Sequence, residues 1–367
     1  MLSRYKKIVE KFDLSGELVS CERYGEGHIN STYLVVMRDE GKETQYILQK
    51  INNNVFKDVD GLMNNIRLVT EFNRKMITKR GGNPNRESLT LVYTKDGKTH
   101  YFNEEDCGYY RMYLFITDAI AYQKIEKPEY FYQSAVAFGN FANLLAQFDA
   151  SKLVEVIKDF HNTKRRYENL INAINCDKVG RVKEVQEEIK FATDRKELCG
   201  KIVSLLESGQ MPTKVTHNDT KLNNVMLDAV SGEPVAVIDL DTIMPGSICY
   251  DFGDSIRFGC NTAKEDEQDL SKVNFNLELF SAYAKGYLSA LKGSITKIEK
   301  ENLAYGAILM TYECGIRFLT DYLEGDVYFH TTREGQNLDR ARGQFKLVSE
   351  MEKNLDKMQE IINNFEE

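Results

Sequence analysis

No apolar run in this 367-residue chain is long enough to span a bilayer. A dense Lys or Arg cluster is also missing, and the net charge is −8. Nucleic acid and anionic membrane surfaces are therefore not expected partners. The cysteines (Cys21, Cys107, Cys176, Cys199, Cys249, Cys260 and Cys314) are odd in number, scattered, and without a C-x-x-C pair. That spacing argues against a disulfide framework or a zinc site and suits reduced thiols, buried or half-buried. The five histidines show no metal-ligand spacing. No internal repeat or low-complexity linker interrupts the chain. The opening MLSRYKKIVEKF reads as an amphipathic helix without the apolar centre of a signal peptide, so a cytoplasmic protein is expected.

What is present concentrates in residues 217–241. His217, Asp219 and Asn224 form H-x-D-x-x-x-x-N, and fifteen residues after Asn224 an apolar run, VAVI, ends in Asp239. Phosphoryl transfer uses that order of groups. One carboxylate accepts the proton of an attacking hydroxyl, and an amide and a second carboxylate hold Mg²⁺ on nucleotide phosphates. The bland alternative is a polar surface turn between two strands. Against it, KVT before the loop and NVML after it both read as strands. VAVIDLD is also too apolar for a solvated hairpin, and carboxylates buried at its end would need a partner or a metal.

The first 115 residues alternate short strand-like runs with turns. CERYGEGHINSTYLVVM reads as strand–turn–strand, TQYILQKIN as a third strand, and SLTLVYT, THYFN and YYRMYLFI complete a sheet. DGLMNNIRLVTEFNRKM is apolar at helical spacing. The lobe boundary is expected in FITDAIAY, residues 115–122, and from Tyr130 onward helices dominate: SAVAFGNFANLLAQF, with Phe138, Phe141, Leu145 and Phe148 on one face, is the first. A closing helix striped by Phe345, Leu347, Met351, Leu355, Met358, Ile362 and Phe365 is the last. The expected fold is α+β and protein-kinase-like. Residues 1–115 form a small antiparallel β lobe with one helix, and residues 116–367 a larger helical lobe carrying the catalytic loop on a 214–239 hairpin.

Within the first lobe, Gly25 and Gly27 of GEGHIN would let backbone amides approach phosphates, with His28 and Asn30 as polar tips. The strand YILQKIN offers Gln49 or Lys50 to the phosphates; alternation does not choose between them. Glu71 on the following helix could pair with such a lysine or simply face solvent. Past Asp239, Asp241 is a candidate to assist at metal or substrate. Asp251, Asp254 and Arg257 suggest an ion-paired brace for the catalytic loop rather than catalysis. Arg317, amid Ile, Phe and Leu, either pairs with a buried carboxylate or grips substrate hydroxyls. There is no DFG at the metal position and no later APE, so activation-loop control is not indicated.

Taken together, YGEGHINSTYLV, YILQKIN, THNDTKLNNVMLD, IDLDTIMPGSICYDFGDSIRFG and ECGIRFLTDYLEGDVYF resemble the N-acetylhexosamine 1-kinases. That group sits within the aminoglycoside-phosphotransferase-like superfamily. The resemblance covers nearly the whole chain. It implies ATP- and Mg²⁺-dependent phosphorylation of the anomeric hydroxyl of N-acetylglucosamine or N-acetylgalactosamine. By motif it implies Asp219 as general base and Asn224 and Asp239 on Mg²⁺; His217, like Asp241, is a candidate auxiliary residue. It further implies His28, Arg317 and Tyr328 as sugar contacts with Asp219, Phe115, Ile116 and Thr117 at the adenine, and Gln49 in the usual lysine place. A monomer acting on small molecules is expected.

Overall fold

A computed structural model describes residues 2–25, 29–125 and 127–365. The chain opens with α1 (Leu2–Val9), β1 (Glu17–Arg23), β2 (Ser31–Asp39), β3 (Lys42–Ile51) and α2 (Val59–Lys79). A short α3 (Pro84–Glu87), β4 (Leu91–Val92), β5 (Tyr101–Asn103), β6 (Gly108–Leu114) and β7 (Ala119–Ile120) follow. Then come α4 (Pro128–Leu144), α5 (Thr163–Cys176), α6 (Gln186–Thr193), α7 (Lys201–Glu207), β8 (Lys214–Thr216), β9 (Val225–Asp228), β10 (Pro234–Val237) and β11 (Met244–Gly246). The last five elements are α8 (Ile248–Gly259), α9 (Leu277–Leu291), α10 (Lys297–Glu301), α11 (Leu303–Glu324) and α12 (Gln336–Asn363). The fold is thus α+β, an antiparallel sheet followed by helices, as its kinase-like pattern leads one to expect.

Contacts divide the chain into two compact units, the first comprising residues 1–121, 147–157 and 226–244, the second the remainder. Two distant segments therefore return to the first unit, which a single boundary in the sequence does not express. In that unit the sheet runs β1-β2-β3-β6-β4, with β5 also on β6. Strand alternation sends Cys21, Val35, Met37, Leu48, Tyr110 and Met112 to one face, where Tyr5, Ile8, Val9 and Phe12 cover them. The opposite parity puts Gln49 and Arg111 side by side on the other face. There α2 buries Leu62, Met63, Ile66 and Val69.

Three expectations change here. The strand expected over SLTLVYT pairs with β6 only at Leu91 and Val92, because the next residues turn to the segment after α1: Phe12 and Thr94 form an isolated bridge, the Asp13 N–H donates to Tyr93 O and the Lys95 N–H to Lys11 O. Phe148 lies beyond the end of α4 and packs edge-on against Phe72, 5.3 Å between centroids, instead of extending the helical stripe. The expected 214–239 hairpin is two arrangements, since β9 neighbours β10 and β7 while β8 neighbours β11.

In the second unit α4 packs along α9, and α11 lies among α5, α8 and α12. The α8–α11 crossing needs glycine on both sides: a Cβ at Gly253 would stand 2.4 Å from Gly306 O, and one at Gly306 would stand 2.5 Å from Cys249 O. That close approach anchors α8, the helix against which the 217–224 loop rests. Phe345, Leu347, Met351, Met358 and Ile362 of α12 are buried as expected, whereas Leu355 and Phe365 are half-buried. Among the described residues no disulfide forms; Cys21, Cys199, Cys249 and Cys260 are buried, and Cys107 and Cys176 are exposed. No described helix is long and apolar enough to cross a membrane.

Candidate active site

The loop after β8 takes its shape from α8. Asn218 occupies the left-handed region at φ +64°, a conformation asparagine tolerates. The N–H groups of His217 and Asn218 donate to the two carboxylate oxygens of Asp251 (2.9 and 2.7 Å), and Thr220 N–H donates to Asp254 (3.0 Å). Thr220 Oγ1 donates to Asp251 O, and Ser255 Oγ to Thr220 O. Arg257 completes the brace with Nε and Nη2 on Asp254 (3.0 and 2.8 Å). Burial alone would raise the Asp254 carboxyl, but Arg257 and Lys221 hold it below the usual range. Asp251, with loop amides and imidazoles opposing its burial, stays raised. The expected bracing role of Asp251, Asp254 and Arg257 is what the contacts display. His217 is fully buried between Phe138 and Phe141, and its Nδ1 accepts the Asp219 N–H at 3.3 Å. Its place is in shaping the loop.

Asp219 keeps its side chain 28 % exposed. Asn224 Nδ2 donates both to the Asp219 carbonyl (2.7 Å) and to its Oδ2 (3.0 Å). This leaves Asn224 Oδ1 as the atom available to a cation. Lys221 Nζ meets Asp219 Oδ1 at 2.7 Å. Burial opposes the charge on Lys221, but the carboxylates of Asp219 and Asp254 override it and push the ammonium up to about 12. Lys221 is the residue the motif reading missed: two positions past Asp219, it falls on an x of H-x-D-x-x-x-x-N. Lys221→Met should lower kcat about 10²-fold with little change in acceptor KM, since it removes charge beside the reacting groups. Steady-state kinetics checks this.

The first unit holds Asp239 and Asp241. Asp239 is exposed, in the left-handed region at φ +59°, so the expected buried pair of carboxylates is corrected: only Asp241 is buried. A hydrophobic strand ends at Val237, and the tight turn after it lifts Asp239 into solvent. Asp241 is taken up by protein groups: its Oδ1 pairs with Arg111 Nη1 at 2.5 Å, and its Oδ2 accepts from Asn30 Nδ2 at 2.6 Å. Asn30 Oδ1 in turn accepts the Asn52 N–H at 3.0 Å. Arg111 is 1 % exposed. Burial disfavours its charge, yet Asp241, with Tyr113 and Asp239, holds its pKa above the ordinary value.

Strand register sends Gln49 and Lys50 to opposite faces. Gln49 stands opposite Arg111, accepts from its Nε at 3.0 Å, and donates to Thr32 at 3.1 Å. Lys50, of opposite parity, pairs with Asp106 at 2.9 Å. Glu71 pairs with Arg67 and accepts from Tyr93, not from Lys50. Gly25 sits in a bend at φ +71°; Gly27 and His28 lie outside the described residues. Phe115 packs edge-on against Tyr24, 5.8 Å between centroids, and donates its N–H to Gln45 O. Ile116 is buried, and Thr117 is exposed with its carbonyl accepting from Arg86.

On α11, Arg317 is half-buried, its guanidinium 5.4 Å from the ring centroids of both Phe160 and Phe329. Among the described residues it has no ion pair or hydrogen bond. Arg166, nearby, donates Nε and Nη2 to Phe160 O, and both burial and Arg317 pull its pKa down. Tyr328 is 62 % exposed and packs edge-on to Phe329. Asp321 fixes their loop by accepting the N–H groups of Val327, Tyr328 and Phe329 (2.9, 2.8 and 2.9 Å).

Among the described residues no three His, Cys, Asp or Glu converge on a metal position. An Mg²⁺–nucleotide site does not need three, because Mg²⁺ takes hard oxygen donors and keeps waters and phosphates as its other ligands. The open amide oxygen of Asn224 and the exposed carboxylate of Asp239 are donors of that kind.

A family model described as the phosphotransferase enzyme family (APH) matches residues 20–287. Among solved structures, an aminoglycoside phosphotransferase from Alicyclobacillus acidocaldarius is 14% identical with a TM-score of 0.60, covering 97% of this chain and 96% of its own. A microcompartment-associated aminopropanol kinase is 15% identical, TM-score 0.60, over 98% and 99% of the two chains. The choline kinase of Cryptosporidium parvum Iowa II is 14% identical, TM-score 0.58, over 100% and 99%. At these identities the likeness is one of fold.

Proposed function

The chain belongs to the phosphotransferase enzyme family, and from that premise we propose that it transfers the γ-phosphoryl group of ATP to the anomeric hydroxyl of an N-acetylhexosamine. The products are the sugar 1-phosphate and ADP. One observation carries the choice of acceptor: Arg317 holds a guanidinium over two aromatic rings with no ion pair or hydrogen bond among the described residues, and Arg166 adds a second cation nearby. A cationic acceptor such as choline, aminopropanol or an aminoglycoside would meet repulsion there, whereas a neutral sugar offers hydroxyls to the planar fork. The exposed ring of Tyr328 beside Phe329 supplies a flat apolar surface for a pyranose. The sequence segments that resemble N-acetylhexosamine 1-kinases support the same acceptor, and they include His28.

In this reading the Asp219 carboxylate takes the O1 proton as O1 bonds to the γ-phosphorus and the bond from that phosphorus to the β-bridging oxygen breaks. An anomeric hydroxyl is more acidic than an ordinary alcohol, so a partly exposed carboxylate suffices as base. Asn224 orients that carboxylate, and Lys221 places positive charge beside the reacting oxygens. Asn224 and Asp239 would hold Mg²⁺, which neutralises phosphate charge when bound. Asn30, Gln49 and the glycines at positions 25 and 27 would serve the nucleotide side: Asn30 and Gln49 through the network they form with Asp241 and Arg111, and the glycines through their backbone. The segment Phe115–Ile116–Thr117 would border adenine.

The reading is tested by measuring ADP release with MgATP and a panel of N-acetylglucosamine, N-acetylgalactosamine, glucose, choline, aminopropanol and kanamycin. Turnover on the N-acetylhexosamines, at a kcat/KM at least 10²-fold above the cationic acceptors, is expected. Preference for choline, aminopropanol or kanamycin would overturn the acceptor assignment.

A further inference from the structure

Four residues before Arg317 on α11, a buried acid–imidazole pair is left half-used. His161 Nδ1 stands 2.7 Å from Glu313 Oε1, with side chains 7 % and 1 % exposed. The other Glu313 oxygen accepts from Thr163 Oγ1 at 2.6 Å. His161 and Arg317 together overcome burial and keep the Glu313 carboxyl below its usual range. In the neutral imidazole, an ionised Glu313 holds the proton on Nδ1, which puts the lone pair on Nε2. That Nε2 is buried and has no hydrogen-bond partner among the described residues. A core imidazole ordinarily has both nitrogens satisfied. The ring lies against Phe160, at 4.5 Å, over which Arg317 is placed, and against Tyr250 at 5.3 Å. Tyr250 belongs to α8, which carries Asp251 and Asp254, the two carboxylates that hold the Asp219 loop. His161 therefore stands between the Arg317 guanidinium and the helix that braces the proposed base.

We propose that His161 Nε2 is a further acceptor-binding atom, taking a hydrogen bond from a ring hydroxyl of the sugar beside Arg317, with Glu313 and Thr163 as positioning residues that hold its tautomer. This rests on the sugar-kinase reading above. An uncharged hydroxyl fits because Nε2 needs a donor and the neighbouring arginines disfavour a cationic one.

Two conservative substitutions separate binding from packing. The amide of His161→Asn can replace Nδ1 and keep the Glu313 contact, but it has nothing at Nε2; the amide of His161→Gln reaches the Nε2 place. With the full-length enzyme, MgATP and N-acetylglucosamine, H161N should raise acceptor KM about tenfold, the loss of one hydrogen bond. ATP KM should stay unchanged, and H161Q should recover part of the loss. A purely structural histidine predicts the reverse order, with H161N benign and H161Q the poorer variant. That order, or a loss shared equally by ATP KM, overturns the proposal. Should H161N fail to fold, the ¹⁵N spectrum of histidine-labelled enzyme, assigned against H161Q, answers instead. A lone-pair Nε2 resonance of His161 should move on adding N-acetylglucosamine, and a resonance that stays put refutes the contact. If wild-type enzyme turns over no N-acetylhexosamine, the sugar-kinase reading fails and this inference with it. If it does and H161N behaves as wild type, only the inference fails.

Discussion

Asp219→Asn should cut turnover by about 10²–10⁴-fold while ATP still binds with near-normal affinity. Asparagine fills the same space and still offers an oxygen to Asn224 Nδ2, whose second bond goes to the Asp219 backbone carbonyl in any case. The loop around it hangs on Asp251 and Asp254 through backbone N–H groups, which the substitution does not touch. What disappears is the group able to accept the O1 proton, together with the ionic partner of Lys221. The effect should therefore appear in kcat rather than in ATP affinity, as for an interaction made in the transition state. Steady-state kinetics with a separate nucleotide titration checks both halves. A variant with near-wild-type turnover would mean that another group takes the proton.

The second large effect concerns stability. Arg111 and Asp241 are both buried, and each is the other's ionic partner. Asp241→Leu leaves a guanidinium sealed in the first unit without its ionic partner, beside Gln49, Met63 and the Tyr113 ring, a loss of roughly 3–5 kcal/mol. Arg111→Met should cost a comparable amount by stranding the carboxylate. The double substitution removes both charges and should recover a good part of either loss, as buried pairs replaced by apolar residues often do. Recovery should stay incomplete, because Asn30 Nδ2 still loses its acceptor at Asp241. Denaturant unfolding of the three variants measures this; additive losses in the double variant would show that the two residues do not depend on each other.

Much of the catalytic loop could be read in the sequence, and the reason is local. H-x-D-x-x-x-x-N sits between two runs of strand-forming residues, and Asp251, Asp254 and Arg257 lie close enough along the chain to be recognised as a brace. The long helices were legible because their apolar stripes keep helical spacing, as in α12. Arg111 was hidden for the opposite reason. Alternation in YYRMYLFI fixes which face the arginine takes, but its partner Asp241 lies 130 residues further on, and no local pattern joins them. Lys50 was ambiguous until register placed it opposite Tyr110 and beside Asp106. The exposure of Asp239 depends on one left-handed residue at a strand end, a feature glycine usually signals and aspartate does not. The pairing of β8 with β11 was likewise out of reach, because three-residue strands carry too little alternation to choose a neighbour.

Phosphate is expected to arrive on the anomeric oxygen of an N-acetylhexosamine. Product NMR on N-acetylglucosamine labelled with ¹³C at C1 reads this directly after incubation with MgATP. A C1 resonance split by coupling to phosphorus is expected. A phosphorus signal coupled to C6 protons, with C1 unsplit and still exchanging between anomers, would contradict it.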